Sequence, residues 1–340
     1  MKKINPVAAV LALILLVVLA TVPDGIILPD AQNAYYIEEP VNIPLGIQPY
    51  GVGLALAAVA AFIFVCLWLR KRRTALSESL TYLVWAASLG FLISRLLYCL
   101  TCADFYFGVA PAVSVLHWWE GGMSMTGALA GMTLAALICW KGDTDGLEAA
   151  ALGMPVFVML ARLAESQAQT GRGMDVEFEG LLTLTDEFGG VLNVWLLEAL
   201  MAVLVLGFML LWRAKYHSPK GMRLTAFFFI LYGALQILME SLRADRHMIW
   251  GFVKAQQLYS FLLSGGCLVY FAWRCGRRWA ALAAAAALAG GVFGLEKGLD
   301  RLDIGDEWLY LAFCVLILGY LWYACAIVRR DERRLKAAER

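Results

Sequence analysis

The chain of 340 residues has little charge, little histidine and no nucleotide-binding loop. Charged residues make up 16%, against about 25% in soluble domains. Hydrophobic residues reach 61% and mean hydropathy is +0.71. An apolar surplus of that size does not fit inside one aqueous core, so most of the chain faces lipid. Three histidines argue against a metal site built on imidazoles, and no cofactor or metal is expected. No G-x-x-x-x-G-K-[ST] stretch occurs, so nothing supports ATP-driven chemistry. Alternation of period two is absent, which argues against a membrane β-barrel. The net charge of +1 lacks the basic surplus that a nucleic-acid partner calls for. Eight cysteines are scattered, mostly in apolar runs where the thiol acts as a small hydrophobe. Cys99 and Cys102 form the only close pair, and no histidine or carboxylate motif accompanies them.

What is present is a succession of apolar runs long enough for helical membrane spans, which need about 20 residues each. Ten are expected, at about 6–22, 50–69, 80–100, 123–140, 148–165, 190–212, 223–242, 254–273, 279–295 and 308–328. The fold class is therefore all-α, a polytopic membrane protein. The ninth run is short, rich in alanine and carries Gly290–Gly291. Basic residues collect on one side if the spans alternate: Lys2–Lys3, Arg70 to Arg73, Lys141, the stretch Arg213 to Arg223, Arg274 to Arg278, and the tail Arg329 to Arg340. The positive-inside rule puts that side, and both termini, in the cytoplasm. Acidic residues such as Asp24, Asp30, Glu38, Glu39, Asp175, Glu177 and Glu187 fall in loops of the opposite side. The first run also reads as a secretory signal peptide, with Lys2–Lys3, an apolar stretch and Val18-Leu19-Ala20 before Pro23. Either reading leaves residues 23–49 outside.

Charges within spans are costly and point to function. Arg95, Arg162, Glu240 and Arg243 sit near outer ends, and Glu198 lies within the sixth run. Arg162 and Glu165 are three residues apart, as are Glu240 and Arg243, so each pair shares a helix face. The structural alternative is that these groups anchor helix ends by snorkelling. Together they suggest an outward-opening polar pocket, in which guanidinium groups clamp a phosphate through paired hydrogen bonds. Glycines cluster at the mouth of the fourth run, in Trp119-Glu120-Gly121-Gly122-Met123-Ser124-Met125-Thr126-Gly127-Ala128-Leu129-Ala130-Gly131. Such a turn lets backbone N–H groups approach an anion. Gly127 and Gly131 also have the spacing of close helix packing.

This stretch resembles the W-[DE]-G-G-M-[SA]-x-H-G-G-x-x-G motif of the bacterial prolipoprotein diacylglyceryl transferase family. Further segments follow in order. Gln48-Pro49-Tyr50-Gly51 is similar to the family's tyrosine–glycine start of a span, and Ser94-Arg95-Leu96-Leu97-Tyr98 to its G-x-R-x-x-Y. Ala161-Arg162-Leu163-Ala164-Glu165 with Gly171-Arg172 resembles G-R-x-x-N…G-R. Glu198 matches the glutamate of a Y-E pair, and Tyr232 to Arg243 resembles Y-G-x-x-R-x-x-x-E-x-x-R. Gln256-Gln257-Leu258-Tyr259 resembles the start of the last family helix. The resemblance covers about 45–275 and implies a seven-helix core, with an N-terminal segment over 1–44 and two added helices over 276–340.

The resemblance implies transfer of the diacylglyceryl group of phosphatidylglycerol to the lipobox cysteine of an exported prolipoprotein, at the outer face of the bacterial cytoplasmic membrane. Its expected partners are phosphatidylglycerol or a similar anionic lipid, prolipoprotein signal peptides and the bilayer. Arg162, Glu240 and Arg243 take the catalytic positions. Tyr50, Arg95, Gly121, Gly122, Ser124, Thr126, Glu165, Gly171, Arg172, Glu198 and Gln236 take the substrate-binding ones. The chain departs from the motifs at three of these. Thr126 stands in place of the family histidine, Glu165 in place of its asparagine and Gln236 in place of an arginine. His117 and His247 are the candidates to replace the lost base. A catalytically degenerate relative that binds lipid or signal peptides, and a transporter with a broken ninth helix, are the alternative readings.

Overall fold

A computed structural model describes residues 5–23, 46–72, 75–167, 171–176, 180–186, 189–217, 219–244, 249–250, 253–301 and 306–338. His247 and the acidic residues at 24, 30, 38, 39, 177 and 187 lie outside them. The described residues contain ten α-helices, one at each expected run. They are α1 (Pro6–Ala20), α2 (Pro49–Trp68), α3 (Ala75–Thr101), α4 (Met125–Cys139), α5 (Thr144–Ala164), α6 (Val194–Tyr216), α7 (Met222–Leu242), α8 (Ala255–Arg274), α9 (Arg278–Arg301) and α10 (Asp306–Ala338). Seven of the helices are long and apolar enough to cross a membrane by length and composition. Two more, α1 and α4, are apolar but shorter. The chain is an all-α polytopic membrane protein. Its outward faces carry large apolar side chains such as Leu13, Leu204, Leu211 and Trp322, as lipid contact requires.

Local chemistry sets several helix ends. Pro6 and Pro49 occupy first-turn positions, where the missing N–H costs nothing. Ser124 caps α4 by accepting from the Gly127 N–H, and Asp143 caps α5 through the Asp145 N–H. The ninth helix corrects its expected shortness: α9 is 24 residues long and runs unbroken through Gly290–Gly291, with Gly291 against Leu316. The broken-helix transporter signal is therefore lost. The basic tail is also helical, since α10 continues to Ala338. Two small antiparallel sheets were not foreseen. One has order β1-β3-β2, from Arg172–Val176 (β1), Thr183–Asp186 (β2) and Gly189–Asn193 (β3). The other pairs Ile249–Trp250 (β4) with Val253–Lys254 (β5).

The chain divides into two compact units, Met1–Leu206 and Gly207–Arg340, with α6 running through the division. In the first unit α3 packs on α4, α2 on α5, and α1 on both α2 and α3. The α3–α4 contact is close because of glycine. A Cβ on Gly131 would stand 2.4 Å from the Gly90 nitrogen, and one on Gly127 would stand 2.6 Å from the Ser94 Cα. The expected small-residue packing is thus present. In the second unit α7 packs on α8, and α9 and α10 complete the bundle. Asp331 of α10 is buried and paired with Arg223 of α7 and, at 3.2 Å, with Arg274 of α8.

Arg72, after α2, binds Asp143 at the start of α5 and also Asp145, at 3.0 Å. The guanidinium holds the Asp143 carboxyl below its usual range. A carboxyl lowered on folding adds stability above its ordinary pKa, and that contribution fades as pH falls through the lowered value. Asp143→Asn is therefore expected to cost about 1 kcal/mol at pH 7. Thermal unfolding in detergent should show the gap between wild type and variant closing only as pH falls below the ordinary carboxylate range, the side on which wild-type Asp143 gains its proton.

Candidate functional site

The signature arginine is held by three successive pieces of chain. Arg162 lies in the last turn of α5, and Glu165 follows as its C-cap. The i,i+3 spacing brings their side chains together as a buried ion pair. The second carboxylate comes from α6. The Gly171 carbonyl accepts from the N–H groups of Val194 and Trp195, at 3.1 and 3.2 Å. This ties the start of α6 to the chain just beyond α5, while β3 ends at Asn193. Glu198, one turn into α6, then lies 3.0 Å from Arg162 Nε and is fully buried. Gly171 has φ +76°, and a Cβ there would stand 2.8 Å from Glu165 Oε2. A side chain at that position would strain the backbone and press on the carboxylate.

Removing Arg162 would take a buried counter-charge from both carboxylates, a loss of about 3–5 kcal/mol by analogy with broken buried pairs.

Arg162 and Glu165 also line an open cavity within the first unit. Tyr50, Ser94, Met123, Ser124 and Met125 also line it. Leu54, Ala58, Phe62, Leu83, Ala86, Met132 and Phe157 make the remainder largely apolar. On α3 the lining runs from Ser94 back to Tyr82, which at 1.5 Å per residue is about 18 Å of helix. Half-buried Tyr50, in the first turn of α2, is among the lining residues.

Arg95 has a different setting. Its Nε donates to Val115 O (3.0 Å), and its Nη1 donates to Gly121 O and to Gly122 O (3.2 Å). Its Nη2 donates to Ser114 O (2.9 Å) and His117 O (3.1 Å). All five N–H donors of a guanidinium thus meet carbonyls of the loop between α3 and α4. Gly121 and Gly122 have φ +78° and +77°, and a Cβ on Gly122 would stand 2.3 Å from the Tyr98 ring. These two glycines shape the loop around Arg95. Next to them Ser94 and Ser124 clasp each other. Ser94 Oγ donates to Ser124 O (2.8 Å), and Ser124 N donates to Ser94 O (3.3 Å). Sequence reasoning did not pick out Ser94, although its place beside Arg95 was the available signal. Thr126 is buried in the first turn of α4. His117 Nδ1 lies 2.8 Å from Glu120 Oε1, and its ring stacks on Trp119. Arg172 is exposed on β1.

In the second unit, Gln236 donates to Glu240 Oε1 at 3.4 Å within α7. The expected i,i+3 relation of Glu240 and Arg243 changes because α7 ends at Leu242. Arg243 is an extended C-cap, with ψ 132°, whose N–H bonds Glu240 O. Lys254, missed in the sequence, donates from Nζ to the carbonyls of both Glu240 and Arg243, at 2.6 Å each. Its ammonium neutralises the carbonyl end of the helix.

Arg95→Lys keeps one charge but offers three donors in place of five. It should destabilise the protein by about 3 kcal/mol and raise hydrogen exchange across residues 110–123. Unchanged exchange there would show that Arg95 does not hold the loop.

The profile of the family described as prolipoprotein diacylglyceryl transferase matches residues 40–273. Three bacterial relatives carry the name phosphatidylglycerol–prolipoprotein diacylglyceryl transferase. The one from Listeria welshimeri is 25% identical over 256 residues, covering 68% of this chain and 89% of its own. That from Streptococcus pneumoniae is 24% identical over 238 residues, covering 66% and 89%. That from Lactobacillus acidophilus is 23% identical over 252 residues, covering 69% and 89%.

Proposed function

The chain belongs to the prolipoprotein diacylglyceryl transferase family, and we propose that it transfers the diacylglyceryl group of phosphatidylglycerol to the lipobox cysteine of exported prolipoproteins. The observation that carries this reading is the apolar cavity lined at one end by Arg162 and Glu165. A membrane lipid has that same division, acyl chains below and a charged head above. The reaction takes place at the outer face of the bacterial cytoplasmic membrane, with both chain termini in the cytoplasm. Residues 45–275 form the transferase core, to which 1–44 and 276–340 are additions.

In the transfer, the acceptor sulfur attacks the glycerol carbon that bears the phosphate ester. A C–S bond forms, the C–O bond breaks, and glycerol 1-phosphate leaves with the bonding electrons. The nucleophile must be a thiolate, so a proton has to be taken up nearby. Thr126 has no basic group for this. Glu165 is the carboxylate that lines the cavity, and we assign it that proton. Protonation weakens its hold on Arg162 just as negative charge grows on the leaving phosphate, so the guanidinium is released toward the charge it must stabilise. Glu198 keeps Arg162 oriented throughout. His117, paired with Glu120 at the loop, is the alternative base. Arg243 takes the lipid-phosphate role and Glu240 the catalytic position that their motif implies, and Tyr50, Ser124, Gly121 and Gly122 border the head group.

Arg162→Lys retains a charge for Glu165 and Glu198 to pair with, but loses the planar fork. It should lower transfer about 100-fold, as should Arg243→Ala. The measurement is complementation of a strain depleted of its own transferase, with lipidation read by mass spectrometry. Normal lipidation by both variants would overturn the site assignment. A wild-type chain that binds phosphatidylglycerol without lipidating a lipobox peptide would instead favour a non-catalytic lipid binder, which the changes at Thr126 and Gln236 suit.

A further inference from the structure

Helix α1 lies outside the residues matched by the family. Its sequence is that of a signal segment: a basic start, an apolar helix, then small and polar residues. It packs lengthwise against both α2 and α3. Its C-terminal end is seated at backbone distance from α2. A Cβ on Gly51 would stand 2.6 Å from Leu19 O, and Gln48 N donates to Ala20 O at 2.9 Å. Leu19 and Val22 line the same cavity as Arg162 and Glu165. Val22 is buried in one cluster with Leu54, Ala57 and Ala161, the neighbour of Arg162. Between Leu19 and Val22 lies Thr21, also buried. Its hydroxyl donates to Val18 O at 2.7 Å and accepts from Trp118 Nε1 at 3.3 Å.

We propose that α1 is a resident stand-in for the acceptor, filling the groove along α2 and α3 in which a prolipoprotein's signal helix docks and placing Thr21 at the position of the acceptor cysteine. This rests on the transferase reading above. An acceptor is an apolar helix followed directly by the reacting cysteine, and α1 is an apolar helix followed directly by Thr21. Its end meets the ionic part of the cavity, the end at which the lipid head must be cleaved. The threonine makes the stand-in inert. A hydroxyl does not ionise near neutral pH, whereas a thiol does so readily beside cationic groups. Turnover of a true acceptor then requires α1 to yield the groove, so the helix competes with substrate.

The test is Thr21→Cys in the full-length chain, held in phosphatidylglycerol vesicles with no added peptide. The new thiol should attack the glycerol carbon of the lipid. A C–S bond forms and the C–O bond to phosphate breaks. Glycerol 1-phosphate leaves, and the thiol proton passes through Glu165 to the released phosphate. Intact-mass analysis should show one diacylglyceryl group gained per chain. Fragment mapping should place it at position 21 and on none of the eight native cysteines. Thr21→Ser should show no gain. The proposal is overturned if Thr21→Cys stays unmodified while the same preparation lipidates an added lipobox peptide. It is equally overturned if the mature chain is isolated without α1. If neither chain nor peptide is modified, the transferase reading itself fails and takes this one with it.

Discussion

The first unit depends on one electrostatic constraint: a buried guanidinium must be paired. Arg162 is buried together with Glu165 and Glu198. Satisfying it determines more than the trio. It requires α6 to start beside the end of α5, which the Gly171 carbonyl achieves by accepting the first N–H groups of α6. It requires glycine at position 171, where any side chain would press on Glu165. The small sheet β1-β3-β2 lies between these two helices in the chain and delivers the turn into α6. A polar centre in an apolar scaffold is thus built from helix ends and the loops that join them.

That arrangement explains what was legible in the sequence and what was not. The helices were legible because lipid imposes a simple rule on length and hydropathy, which seven of the ten meet in full. The Arg162–Glu165 pair was legible because both residues belong to one turn. The pairing of Glu198 with Arg162 was not, since it depends on how the 35 intervening positions fold back through a loop and a sheet. Arg95 shows the opposite difficulty. Its motif suggested a ligand contact, but its five donors meet five loop carbonyls. A motif preserves a residue type without saying which atoms it serves. At Glu240 and Arg243 the i,i+3 rule applied only as far as the helix, and the helix ends at Leu242. In α9, the Gly290–Gly291 pair suggested a break, but Leu316 packs on Gly291 and the helix continues.

In the second unit the helices beyond the matched residues reach back to the motif helix. Glu296 of α9 accepts from Gln257 of α8 at 2.6 Å, and Gln257 also donates to Ile237 O of α7. Tyr310 of α10 donates to Ser241 O at 3.3 Å, and Tyr320 bonds Ser264 of α8 at 3.1 Å. Two of these contacts, at Ile237 and Ser241, fall close to Glu240 and Arg243 in the chain. Together with Lys254 on the last carbonyls of α7, they restrict how that helix end can move. The added helices are thereby physically coupled to the motif.

The charge of the Arg162 trio bears on how chemistry proceeds there. Arg162 is already engaged by Glu165 and Glu198, and an arginine flanked by two carboxylates is a weak static clamp for phosphate. In the transfer proposed above it is better suited to the charge that develops on the leaving phosphate, which is the difference between ground state and transition state that catalysis requires.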